Sequence, residues 1–88
     1  MNFEWDDAKA ATNHRKHGVS FEEASSIFND PNVLLFFDEQ HSDSEDRYLA
    51  IGMSDKSRVL VVSHTYRGKA IRIISARKAT PSEARQYG

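Results

Sequence analysis

The 88-residue chain contains no cysteine. No disulfide can brace it, and no thiolate is available to ligate a metal or attack a substrate. This absence fits a reducing compartment. No apolar run reaches the length needed to cross a bilayer. The opening "MNFEWDD" lacks the basic start and apolar stretch of a signal peptide. The expectation is a soluble cytoplasmic protein without a membrane partner, residues 1–88 forming one domain. Glycine is sparse, and the four residues Gly18, Gly52, Gly68 and Gly88 are scattered. They build no phosphate-cradling loop, so NTPase and dinucleotide-binding readings are poor. No repeat or low-complexity tract is present. At this length the core is modest and stability marginal.

Net charge is also nearly absent, at −1. That value conceals two opposite halves. Met1 to Asp46 carries three Lys/Arg against eleven Asp/Glu, a balance of −8. Arg47 to Gly88 carries nine Lys/Arg against Asp55 and Glu83, a balance of +7. A basic surface of that kind suits an anionic partner, often nucleic acid, unless the two halves neutralise each other in the fold.

"FEWD" reads as a short strand with Phe3 and Trp5 on one face. Asp6 then suits a helix N-cap, because its carboxylate can accept a first-turn amide. The helix runs from about Asp7 to His17, with acids first and cations last, and Gly18 ends it in the left-handed conformation. Ser20 and Glu23 form an S-x-x-E capping box for a second helix, which Asp30-Pro31-Asn32 terminates. The two helices read as a hairpin. Four strands follow: Val33 to Phe37, Arg47 to Met53, Arg58 to Tyr66 and Ala70 to Arg77, joined by short polar links that imply an antiparallel meander. Thr80-Pro81-Ser82-Glu83 starts a short C-terminal helix. The expected class is α+β, with the hairpin packed on an antiparallel sheet of about four strands and the other sheet face open.

The chemistry concentrates near the end, in "IRIISARKAT". Desolvating a guanidinium is costly, so Arg72 and Arg77 either lie in solvent or face an anion. Strict alternation puts them on opposite faces of the strand, and only a bulge or an early strand end would reunite them. Arginine makes planar, multidentate phosphate contacts, whereas Lys69 and Lys78 offer point charges. Tyr48, Tyr66 and Tyr87 offer stacking surfaces for unpaired bases. His64, two residues before Tyr66 and close to Arg67, can exchange protons near neutral pH; it reads somewhat more readily as a hydrogen-bonded sheet histidine. His41, in the acidic loop, reads as solvated. His14 and His17 are three apart on a helix, but no further ligands complete a zinc site. No metal or cofactor is expected.

Taken together, "FEWDDAK", "KHGVSFEEA", "DRYLAIG", "VLVVSHTYRG" and "IRIISARKAT", followed by Glu83 and Tyr87, resemble the BrnT family of bacterial toxins in that family's order. The resemblance covers nearly the whole chain. "KHG-x-SFEEA" followed by "R-I-ISARKA" is its specific part. The chain departs from the pattern at Asp46-Arg47, where the family often has Glu-Arg, and near Ser57, where it has glycine. The resemblance implies a type II toxin–antitoxin system and a RelE-like fold. It implies a metal-independent ribonuclease that arrests translation and is neutralised by a BrnA-type antitoxin. Operator DNA would be reached only through the antitoxin complex.

RNA cleavage of this kind uses the ribose 2′-hydroxyl as nucleophile. The protein must hold in-line geometry, stabilise negative charge and move protons. Arg72 and Arg77 match the family's R-I-ISAR motif. With Arg67 they are expected to converge on the scissile phosphate. His64 is the candidate for proton transfer, with Tyr87 second. Lys9 and His17 match family positions on the first helix, and with Lys69 and Lys78 they are candidates for RNA binding. The competing reading is a non-catalytic module holding an acidic protein or operator DNA through its basic half.

Overall fold

The local signals form the elements they encode. Asp6 stands in extended backbone, and its carboxylate accepts the Lys9 amide hydrogen at 3.1 Å. Helix α1 then spans Asp7–His17 and closes at Gly18, whose φ of 68° is left-handed. Ser20 caps α2, Phe21–Ser26, by accepting the Glu23 amide hydrogen at 3.0 Å. The reciprocal half of that expected box is missing. The Glu23 carboxylate instead accepts hydrogen bonds from Ser54 Oγ at 2.7 Å, from Arg58 Nε at 2.9 Å and from a second Arg58 N–H. Its pKa is lowered, chiefly by Arg58. A single 3-10 turn, Ile27–Asn29, continues α2. The computed structural model describes residues 1–88.

Five strands form one sheet: β1 (Asn2–Glu4), β2 (Leu34–Phe37), β3 (Tyr48–Met53), β4 (Val59–Arg67) and β5 (Ala70–Lys78). Their spatial order is β1-β5-β4-β3-β2. Strands β2 to β5 are the expected antiparallel meander, with each boundary within one residue of expectation. The fifth strand changes the sheet from antiparallel to mixed. Strand β1 pairs in parallel with β5, Asn2 opposite Ala70 and Glu4 opposite Arg72. A three-residue strand has too few hydrogen bonds to stand alone, so it exists because β5 offers a free edge. The opposite edge, β2, leaves Leu35, Phe36 and Phe37 exposed.

Helix α2 and its continuation lie over β3 and β5. The core between them contains Phe21, Ala24, Ile27, Leu60, Val62 and Ile73, all essentially inaccessible. Gly52 allows the close approach: a Cβ there would meet Ile27 Cβ at 3.1 Å and Val33 Cγ2 at 3.2 Å. Helix α1 packs along β5. Its single buried residue is polar. Asn13 donates to the Ala76 carbonyl at 2.9 Å and the Val19 carbonyl at 3.0 Å, and accepts the Ala76 amide hydrogen at 3.1 Å. Its side-chain amide therefore pairs with the β5 edge beyond the reach of β1, as a neighbouring strand would.

The second sheet face is not open throughout. Ile51 and Val61 point to it and are buried, and α3 (Pro81–Tyr87) packs back against β3. Thr80 and Glu83 form the complete capping box of α3. No helix is long and apolar enough to cross a membrane.

Candidate functional site

The pairing of β4 with β5 changes register between Ser63 and His64. Ser75 lies opposite Ser63, Ile73 lies opposite His64, and Ile74 is the extra residue. This bulge reverses the alternation of β5. Arg72, opposite Thr65, and Arg77, opposite Val61, consequently share the face directed away from α2. Two open concavities, of about 360 Å³ and 330 Å³, meet there and share Ile74 and Ser75 as a common saddle.

The first concavity lies between α1 and β5. Lys9, Thr12, Lys16 and His17 line its helical side. They follow the three- and four-residue spacing that places side chains on one helix face, and the Asn13 clamp turns that face toward β5. The second concavity lies between β5 and the loop after β2. Arg77, Ser63 and Leu49 come from the sheet, and Asp38, His41 and Arg47 from the loop ends. The loop is closed by its own hydrogen bonds. Asp38 N donates to the Arg47 carbonyl at 2.8 Å, extending the β2–β3 ladder by one rung. Ser42 Oγ donates to the Asp38 carbonyl at 2.6 Å and accepts the Arg47 amide hydrogen at 3.0 Å. His41 Nδ1 lies 2.9 Å from Asp38 Oδ2.

Electrostatically the surface is uneven. Lys9, Lys16 and Arg47 make no ion pair, whereas Arg77 does. Its guanidinium donates to both Glu83 oxygens, at 2.7 and 2.9 Å. That fork holds the Glu83 carboxyl down to about 2, and Glu83 raises the Arg77 pKa. Asp6 is held below its ordinary carboxylate value, chiefly by the Lys9 amide, and Arg72 lines neither concavity.

The structure brings Lys9, His17 and Arg77 together around the saddle. It does not make the three arginines converge. Arg67 lies against Glu45 at 3.5 Å, at the hairpin end, with Lys69 in the adjoining turn. Arg72 lies against Glu4 at 3.8 Å. Lys78 is exposed at the last position of β5, opposite Leu60.

His64 is fully buried on the helix-covered face, at the opposite side of the sheet from the groove. Its ring packs edge-on to Phe28 at 4.9 Å and lies 5.9 Å from Tyr48 and 5.4 Å from Tyr66. Its Nδ1–H donates to the Val62 carbonyl at 3.2 Å, and Nε2 is buried without a partner. Burial pushes its pKa down. Tyr87 donates its hydroxyl to Asp30 Oδ2 at 2.5 Å and fastens α3; its pKa is raised by that bond.

Sequence reasoning missed Lys16, Arg47 and the Asp38–His41 pair. Lys16 follows Lys9 and Thr12 at helical spacing, which is a legible signal. Arg47 stands in "DRYLAIG", directly ahead of a strand, but only the register with Asp38 aims it at β5. Nothing local separates His41 from a solvated loop histidine.

An α+β protein with unpaired cations gathered around one groove falls in the class equipped to hold a polyanion. Residues 5–83 match the family described as ribonuclease toxin, BrnT, of type II toxin-antitoxin system. The chain belongs to this family. Membership implies RNA as substrate and an antitoxin as partner. Among solved structures, the chain is similar to the Brucella abortus ribonuclease toxin, BrnT, with a TM-score of 0.70 and 26% identity. The similarity covers 91% of this chain and 97% of that one. No curated protein gives a significant match.

Proposed function

We propose that this protein cleaves RNA held across the Ile74–Ser75 saddle, without a metal, by attack of the ribose 2′-hydroxyl on the adjacent phosphate. The observation that carries the reading is the union of two cation-lined concavities at one bulge. Lys9, Lys16 and Arg47 have no carboxylate partner, so they meet phosphate oxygens without first breaking an ion pair. Arg77 stabilises the charge that develops on the pentavalent phosphorus, and phosphate must compete with Glu83 for its fork. His17 borders the strand path, while Arg72 lies outside both concavities against Glu4. Arg67, Lys69 and Lys78 lie outside the groove and add only general attraction. The burial of His64 and the bond from Tyr87 to Asp30 favour structural roles for both.

In the same proposal the architecture is RelE-like, with α1 and α2 as a hairpin, and the partner is a BrnA-type antitoxin. Covering the basic groove would silence the enzyme, and operator DNA would be reached through the antitoxin alone. One observation favours the non-catalytic alternative: Arg67, Arg72 and Arg77 are each already paired with a carboxylate.

Purified protein incubated with a long RNA in EDTA separates the two readings. Cleavage leaving 2′,3′-cyclic phosphate ends is expected, together with full resistance of the same sequence carrying 2′-deoxyribose. Binding without cleavage would favour the non-catalytic module.

A further inference from the structure

We propose that His41 is the general base of the reaction and Asp38 its positioning residue, a refinement that rests on the ribonuclease reading above. The two side chains line the same concavity as Arg47 and Arg77. A carboxylate oxygen can only accept, so the 2.9 Å contact makes Nδ1 the donor and leaves the lone pair of the neutral ring on Nε2. Asp38 is well shielded, with its side chain 13% exposed, while the His41 side chain is 63% exposed. The carboxylate is thus fixed within the loop, and the ring projects from it toward solvent. Asp38 is itself held by the main-chain rung to Arg47 and by Ser42. Base and phosphate-binding cation are therefore set by one closed loop, the arrangement in which a base is oriented by a third group. His64 has no such access.

The chemistry balances as a transesterification. Nε2 takes the proton of the 2′-hydroxyl as the 2′-oxygen forms its bond to phosphorus. The bond from phosphorus to the 5′-oxygen breaks, and that oxygen takes a proton from water. The imidazolium then returns its proton to solvent. The products are a 2′,3′-cyclic phosphate and a 5′-hydroxyl. Arg47 and Arg77 face the non-bridging oxygens, where negative charge grows.

The test compares the parent with His41→Ala and Asp38→Asn in steady-state cleavage of a defined RNA, with binding of its uncleavable 2′-O-methyl form measured in parallel. His41→Ala is expected to lower kcat about 10²–10³-fold, to leave binding within about twofold, and to regain activity when imidazole is added. In Asp38→Asn kcat falls while KM holds, because the ring has lost the carboxylate that orients it. Three results overturn the assignment. A His41→Ala protein cleaving at the parental rate removes the base but leaves the ribonuclease reading intact. Loss of 2′-O-methyl RNA binding without imidazole rescue makes His41 a binding residue only. A parent that leaves RNA uncut removes both readings. Circular dichroism of each variant checks that the fold is retained.

Discussion

Arg77 and Glu83 meet in two near-parallel hydrogen bonds that join the last strand to the last helix. Glu83 also accepts the Thr80 amide hydrogen at 2.9 Å. One carboxylate therefore starts α3, anchors it to β5, and occupies the fork of a cation in the groove. Arg77→Ala would be a clean catalytic probe if strand-end side chains added little to the fold. The ion pair predicts otherwise. Arg77→Ala is expected to lose cleavage about 10²–10³-fold, the cost of removing one charge-stabilising donor, and also to lower Tm. Arg77→Lys keeps a charge without the planar fork, so it should recover more of the Tm than of the rate. Cleavage assays beside thermal melts check both.

The same pair predicts an acid-labile contribution. The folded Glu83 pKa lies below its ordinary value of 4.5, near 2. Stability from this group is complete above pH 4.5 and is lost as pH falls toward 2. Because the partner is 40% exposed, solvent screening limits the effect to about 1–2 kcal/mol. Urea unfolding of the parent and Glu83→Gln at pH 7 and pH 3 should show their difference shrinking at the lower pH.

His64 predicts a second pH dependence. Its folded pKa is depressed below 6.5, so the unfolded chain binds the proton more readily. Stability should be full above pH 6.5 and fall below it, by at most about 1.4 kcal/mol per pH unit. His64→Gln keeps a polar side chain at this position without a titrating group. Unfolding of this variant between pH 7 and pH 5 should be flatter than that of the parent.

Asn13 joins α1 to the β5 edge with three hydrogen bonds. Asn13→Ala leaves both main-chain groups of Ala76 unpaired in a buried place. The expected loss is about 2–4 kcal/mol, read as a lower urea midpoint. The groove on the α1 side should loosen with it, weakening RNA binding as well.

Ser57 has a left-handed φ of 59° in the turn between β3 and β4. Its amide donates to the Ser54 carbonyl at 2.9 Å. A non-glycine residue is strained there, because its Cβ disfavours the left-handed conformation. Ser57→Gly should stabilise the protein by roughly 0.5–1 kcal/mol and raise Tm by a few degrees.

What was legible in the chain was local. Asp6, Gly18, Thr80 and Pro81 each act on neighbours within a turn, and the helix ends they mark are where expected. The four-strand meander follows from alternation and short links. What escaped depends on residues far apart. Strand β1 needs the free edge of β5, Glu23 leaves its capping box for Arg58, and Ile74 is extra only relative to Ser63 and His64. The site divides in the same way. Arg77, Lys9 and His17 were legible by residue type and position. Arg47, Asp38 and His41 become partners only when a loop closes on itself.

Ile74 has a final consequence for how this protein tolerates change. Deleting Ile74 would remove the bulge and leave Arg72 and Arg77 four residues apart, still on one face of a regular strand. What inverts the strand is ironing out the bulge with every residue kept: Arg77 would then turn inward and Ala76 out to water. Across descendants of this chain, the two arginines should stand five apart with the bulge or four apart without it.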